Sequence, residues 1–108
     1  MSAPRIDRLD ATHAVVGFDR ELNSSTVNDL RPAVHALVEA GVRAVTIDLQ
    51  NTEYVDSSGL GMLLGIHLSL VKVQGHMQVV NASDDVGGLL HVLHLDEHFP
   101  VTGRSRAA

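Results

Sequence analysis

The chain has 108 residues, close to the commonest size of a single domain, and 44% of them are apolar, enough for one core. Its formal charge of −5, without a cluster of lysine and arginine, argues against nucleic acid as the main partner. Cysteine is absent, which excludes disulfides and thiolate chemistry, and no apolar run is long enough to cross a bilayer. We therefore expect a small cytoplasmic domain without a membrane segment.

The first half of the chain predicts strands around one helix. The expected strands are 5–9, 13–18 and 44–49. Between the last two, apolar residues three and four positions apart over 27–38 predict an amphipathic helix that ends at Gly41. Pro32 fits the first turn of this helix if the helix begins near 29–31, whereas a start at Thr26 predicts a kink.

The second half predicts a long apolar helix and further alternating elements. The apolar pattern has helical spacing up to Val71, and Gly75 ends it. The later elements are a strand at 76–81, a helix capped by Ser83 or Asp84, and a short strand at 99–102. We expect one domain at 1–102 and a disordered tail at 103–108. The order predicts an α/β fold with a small mixed sheet of four to five strands and helices packed on it.

Three short polar residues, Asp56, Ser57 and Ser58, follow the strand at 44–49 and precede the long helix. Such residues are favoured at a helix start, because their side-chain oxygens accept from the unpaired N–H groups of the first turn. Those N–H groups and the helix dipole also favour an added phosphate. The sequence therefore predicts a covalent switch at a serine hydroxyl beside an apolar helix face.

The long helix is apolar over most of its circumference and contains Gly59, Gly61 and Gly65. A helix of this kind is either deeply buried or meets a partner on its extra face. A glycine inside a helix costs up to about 1 kcal/mol relative to alanine, so we expect another group to approach the backbone closely. The sheet of the same domain and a second protein both remain candidates. The expected exposed apolar contacts for a partner are Leu60, Met62 and Leu63.

Other chemistries match the residues less well. The spacing of Gly59, Gly61 and Gly65 departs from the dinucleotide fingerprint, and the glycines fall inside the helix. A phosphate loop and a nucleophile elbow are both missing from the sequence. A metal site is conceivable among His91, His94, Asp96, Glu97 and His98. Such residues are more often solvated, so we expect no metal. Because the motifs above do not match, we also expect no catalytic residue and no cofactor.

The motif Asp56-Ser57-Ser58-Gly59-Leu60-Gly61 resembles the signature of the STAS domain. More narrowly, it resembles that of the bacterial anti-sigma factor antagonists. The resemblance takes in Glu21-Leu22-Asn23, the strand Val45 to Leu49 and Gly75-His76-Met77-Gln78-Val79-Val80. It covers the chain from about Ile6 to Val101 and implies a small mixed sheet with helices packed on it.

The resemblance implies partner switching by a chain that is itself no enzyme. Ser57 would be the phosphorylation site, and Ser58 is the alternative acceptor. A serine kinase of the histidine-kinase-like ATPase type would bind the unphosphorylated protein and then phosphorylate it. A metal-dependent serine phosphatase would reverse the mark. While bound, the kinase would release its other client, commonly a sigma factor, and so change transcription.

The resemblance also implies a partner surface around the serine. Its residues are Asn23, Ser24 and Ser25 in the rim loop, with Asp56, Ser58, Gly59, Leu60, Met62 and Leu63. The family usually has an acidic residue at the position of Asn23 and a glycine at that of Arg20. A binding module that is rarely phosphorylated therefore stays an alternative, as does a STAS subunit that clamps a transporter ATPase or a signalling scaffold. The sequence leaves the oligomeric state open.

Overall fold

The computed structural model describes residues 5–18 and 24–104, with side chains from Thr26 onward in the second range. The strands are β1 (Arg5–Arg8), β2 (His13–Gly17), β3 (Ala44–Asp48), β4 (His76–Ala82) and β5 (Val101–Gly103). The helices are α1 (Ser24–Glu39), α2 (Ser57–Val71) and α3 (Asp84–Val92). A 3₁₀ turn at Leu95–Glu97, which the sequence did not predict, precedes β5.

The strands form one five-stranded sheet in the order β1-β2-β3-β4-β5. β1 pairs antiparallel with β2, and every later pair is parallel. Each parallel pair is joined through a helix, as parallel neighbours require a crossover connection. The predicted mixed α/β sheet with an antiparallel member at its start is confirmed.

The two faces of the sheet differ sharply. Val16, Ile47 and Val79 stand opposite one another on β2, β3 and β4, and all three are fully buried. On the other face Thr46 and Gln78 are at least partly exposed, and the Gln78 side-chain amide donates to the Thr46 hydroxyl at 3.0 Å. The domain therefore has two layers, with its core between one sheet face and the helices.

Helix α1 begins at Ser24, so Pro32 lies in its interior, and of the two alternatives the start near 29–31 is excluded. Proline has no N–H, so the carbonyl of Asn28 loses its usual helical donor. Burial of the apolar face offsets this loss. The buried residues of that face are Val27, Leu30, Val34 and Leu37.

The last described residue, Arg104, anchors β5 to the middle of the chain. Its guanidinium donates to the carbonyls of Leu49 and Thr52, and its Nε donates to the carbonyl of Asn81. The tail predicted from Gly103 onward falls partly on 105–108, outside the described residues, and stays a prediction there. Among the described helices, none has both the length and the apolar character needed to span a membrane.

Candidate functional site

The start of α2 is fixed by Asp56. Its backbone is extended, with φ −93° and ψ −174°, and its carboxylate accepts from the N–H of Gly59 at 3.0 Å. Its carbonyl accepts from the N–H of Leu60, also at 3.0 Å. Asp56 is therefore the N-cap, and the predicted strand-to-helix turn is confirmed.

Ser57 and Ser58 occupy the first turn of α2, and both are exposed. Within residues 5–18 and 24–104, neither hydroxyl has a hydrogen-bond partner. Their backbone N–H groups belong to the first turn, where a helix has no internal acceptors. The Ser57 hydroxyl is consequently open to an incoming reactant, in a place that tolerates negative charge.

A cleft runs between α1 and α2, and Ser57 lies at one end of it. The end beside Ser57 is a cavity of about 360 Å³ that is also lined by Ser58, Asn28 and Arg31. A second cavity of about 230 Å³ continues between the helices, and Arg31 and Gly61 line both. We call these two cavities together the α1–α2 cleft.

On the α2 side, the cleft is lined by small residues four positions apart. They are Ser57, Gly61, Gly65 and Ser69. A Cβ added at Gly61 or Gly65 would meet nothing within 4 Å. Of the two candidates for a close approach, the sheet of the same domain is therefore excluded at these two glycines. Approach by a second protein remains a prediction.

Three of the residues expected on the partner surface, Gly59, Met62 and Leu63, are buried, so the expected exposure of Met62 and Leu63 is wrong. Met62 is 4% exposed and Leu63 is fully buried, and both belong to the core. Leu60 is half-buried and packs against that core. The inward side of α2 carries its bulky residues close to the sheet, whereas Leu68 and Val71 are exposed.

The rim loop is only partly described. Asn23 lies outside the described residues, and the structure gives only the backbone of Ser24 and Ser25, in the first turn of α1. α1 follows β2 and α2 follows β3, and these strands are parallel neighbours. The starts of both helices therefore lie at the same edge of the sheet.

Sequence reasoning missed Arg31 and Asn28, which border the Ser57 cavity from α1. Arg31 is exposed and makes no hydrogen bond or ion pair with any residue in the described ranges. Asn28 and Arg31 are three positions apart, and this helical spacing could have placed them on one side of α1. The pairing of that side with α2 is a tertiary contact, which one sequence does not reveal.

The histidines near the C-terminus pair with carboxylates of the 3₁₀ turn. Nδ1 of His91 lies 2.7 Å from Oδ2 of Asp96, and Nδ1 of His94 lies 2.7 Å from Oε2 of Glu97. The hydrogen bond to Asp96, followed by its charge, raises the pKa of His91. Within the part of the chain that is described, no group of three or more acidic or histidine side chains could hold a metal ion.

Comparison with known proteins supports the same fold. The family model of the STAS domain matches residues 3–108. The anti-sigma-B factor antagonist of Staphylococcus aureus is 29% identical over 83 residues, which are 71% of this chain and 77% of that protein. A solved anti-sigma factor antagonist from Mycobacterium paratuberculosis is 27% identical, with a TM-score of 0.81 over 94% of this chain and 86% of its own.

The anti-sigma factor antagonist SpoIIAA of Bacillus shares the fold in two chemical forms. The unphosphorylated form has a TM-score of 0.81 at 22% identity, over 92% of this chain and 87% of its own. The phosphorylated form has a TM-score of 0.76 at 20% identity, over 92% of this chain and 90% of its own. With a family model that matches nearly its whole length, the chain belongs to the STAS domain family.

Proposed function

We propose that this protein is an anti-sigma factor antagonist that acts by partner switching in the cytoplasm and catalyses no reaction itself. Unphosphorylated, it binds a serine kinase of the histidine-kinase-like ATPase type, which is also the anti-sigma factor. Phosphorylation of Ser57 releases that partner. The observation that carries the proposal is the exposed Ser57 hydroxyl in the first turn of α2, at the open end of the α1–α2 cleft. The names of the relatives support the class of partner.

The covalent step is a phosphoryl transfer from ATP bound to the kinase. Ser57 Oγ attacks the γ-phosphorus, and a new O–P bond forms as the bond to the bridging oxygen breaks. ADP leaves with that electron pair, and the hydroxyl proton passes to a base on the kinase. In the reverse step, a metal-activated water of the phosphatase attacks the phosphorus, which restores the Ser57 hydroxyl and releases inorganic phosphate.

The phosphate adds about −1.5 to −2 charges and three acceptor oxygens. At the start of α2 it meets unpaired N–H groups and the positive end of the helix, so the domain should stay folded. Within a packed interface, the same group must lose its hydration and faces repulsion from Asp56 and from acidic partner groups. The match of this fold to both forms of SpoIIAA supports a switch that acts on the interface rather than on the fold.

The affinity change required is large. Moving a two-state equilibrium from almost fully bound to almost fully free takes roughly 5.5 kcal/mol of differential affinity. One doubly charged group in a closely packed contact can supply much of it. We propose that this contact includes Asp56, Ser58 and the half-buried Leu60 at the start of α2, together with Asn23, Ser24 and Ser25. Gly59, Met62 and Leu63 then support the surface from beneath.

The experiment is calorimetry of kinase binding by the wild type, Ser57→Asp and Ser58→Asp. We expect Ser57→Asp to abolish binding while circular dichroism shows an unchanged fold. Ser58→Asp adds the same charge one residue further along the proposed contact, and we expect it to weaken binding without abolishing it. Equal affinities for the wild type and Ser57→Asp would reject the proposal.

A further inference from the structure

We propose that Arg31 binds the phosphate of phosphorylated Ser57 across the α1–α2 cleft and so links the two helices. This inference rests on the proposed function, because it takes Ser57 as the phosphate acceptor. It adds Arg31 as a residue of the same chain that binds the phosphate.

The first support is location. Arg31 on α1 and Ser57 on α2 line the same cavity of about 360 Å³. That volume is about twelve times the roughly 30 Å³ that a water molecule occupies in the liquid. A phosphate on Ser57 can therefore enter the cavity without displacing protein atoms, and it then lies on the side of α2 that faces Arg31.

The second support is charge. Arg31 has no ion pair within the described ranges, so a phosphate need not displace a carboxylate from it. Of the described residues that line the two cavities, only Arg31 and His35 carry ionisable side chains, and neither is acidic. The guanidinium offers paired donors that match two phosphate oxygens. Asp56, the residue before Ser57, already uses its carboxylate to accept from the N–H of Gly59.

The third support is the glycine between the two groups. Gly61 follows Ser57 by one helical turn and lines both cavities together with Arg31. A Cβ at Gly61 would point into open space. The absence of a side chain leaves the α2 side of the cleft clear for a long arginine side chain that reaches toward the first turn.

The consequence is a phosphate held from two sides, by the N–H groups that begin α2 and by a cation from α1. Phosphorylation then does more than add charge to the interface. It also occupies Arg31, so that this cation is no longer available to a partner that docks over the cleft.

The test uses protein with phosphoserine installed at position 57 during translation, so that no kinase is needed. Three forms are compared: the otherwise wild-type chain, Arg31→Gln and Lys72→Gln. Lys72 is exposed and follows the far end of α2, about 22 Å from Ser57 at 1.5 Å per residue. Both substitutions remove one positive charge, and Asp56 and the helix start are common to all three forms.

Phosphorus NMR then follows the second ionisation of the phosphate with pH. We expect Arg31→Gln to raise that pKa by about half a unit, since a nearby cation favours the dianion, and Lys72→Gln to leave it unchanged. Installing the phosphate should also raise the melting temperature more in the wild-type background than in Arg31→Gln. Equal titration curves and equal melting shifts in all three forms would overturn the inference.

The outcomes separate this inference from the proposed function. If kinase binding does not depend on Ser57 but Arg31→Gln shifts the phosphate titration, Arg31 and the phosphate form a pair without the partner switch. If kinase binding depends on Ser57 but Arg31 has no effect, the switch stands and the pair is wrong. Arg31 is exposed and has no ion pair within the described ranges, so Arg31→Gln should fold. Arg31→Lys provides a second variant that keeps the charge without the paired donors.

Discussion

The carboxylate of Asp56 accepts a hydrogen bond from the backbone N–H of Gly59 at 3.0 Å. This contact ends the extended segment after β3 and starts α2 at Ser57. Ser57 is therefore the first helical residue, and its side chain is exposed. The site depends on a cap as much as on the serine itself.

Removing the cap should destabilise the domain without touching the hydroxyl. We expect Asp56→Ala to lower the free energy of unfolding by about 1 kcal/mol, because an N–H of the first turn loses its acceptor. Asp56→Asn keeps an accepting oxygen and should lose a few tenths of a kcal/mol. Urea unfolding of both variants measures the difference. Equal stability of Asp56→Ala and the wild type would contradict the role of the cap.

The two cleft glycines should be replaceable. Gly61→Ala and Gly65→Ala should each raise the free energy of unfolding by about 0.5–1 kcal/mol, because the added methyl meets open space in a helix. Gly75→Ala is the contrasting variant, since its Cβ would collide with the carbonyl of Arg43, and it should destabilise. Thermal or urea unfolding tests all three. Weaker kinase binding by the more stable Gly61→Ala would locate the approach of the second protein there.

Arg104 should contribute to stability well beyond its single ion pair. Arg104→Gln removes donors from the carbonyls of Leu49, Thr52 and Asn81, and we expect a loss of about 1–3 kcal/mol. Glu53→Gln removes only the exposed partner of the 2.7 Å ion pair and should lose less than about 1 kcal/mol. Urea unfolding of the two variants gives the comparison. Losses of equal size would mean that the carbonyl contacts contribute nothing.

The His91–Asp96 pair should make stability depend on pH. The hydrogen bond between His91 and Asp96 raises the pKa of His91 in the folded protein above its value in the unfolded chain. The stabilisation that this pair gives to the folded state is therefore fully present below the pKa of His91 in the unfolded chain. It is lost as the pH rises through the pKa of His91 in the folded protein. We expect an NMR titration to show a lower pKa of His91 in Asp96→Asn than in the wild type. The substitution should also destabilise the domain more at about pH 5 than at about pH 8.5. A difference in stability between the wild type and Asp96→Asn that does not change with pH would contradict this role of the pair.

The sequence predicted what local chemistry decides, and it failed where tertiary packing decides. The alternation of strands and helices and the helix start among Asp56, Ser57 and Ser58 follow from short-range rules. The burial of Met62 and Leu63 did not, because a helix that is apolar nearly all round does not reveal which side faces the sheet. The position of Pro32 within α1 stayed open for a similar reason, since the buried face of α1 outweighs the loss of one helical hydrogen bond.

The cleft itself was beyond the sequence. Gly61 and Gly65 predicted a close approach, whereas in the folded chain they leave open space beside α1. Arg31 borders that space only because α1 and α2 pack side by side on one sheet face. One chain gives the spacing along each helix, but it does not give the pairing between the two helices.

The central claim is that Ser57 accepts a phosphate that controls partner binding. Mass spectrometry of the protein recovered from the cells that make it, with and without stress, tests it most directly. We predict phosphate on Ser57, in a fraction that changes with stress and disappears in Ser57→Ala but persists in Ser58→Ala. Phosphate confined to Ser58, or an unmodified Ser57 under every condition, would contradict the account.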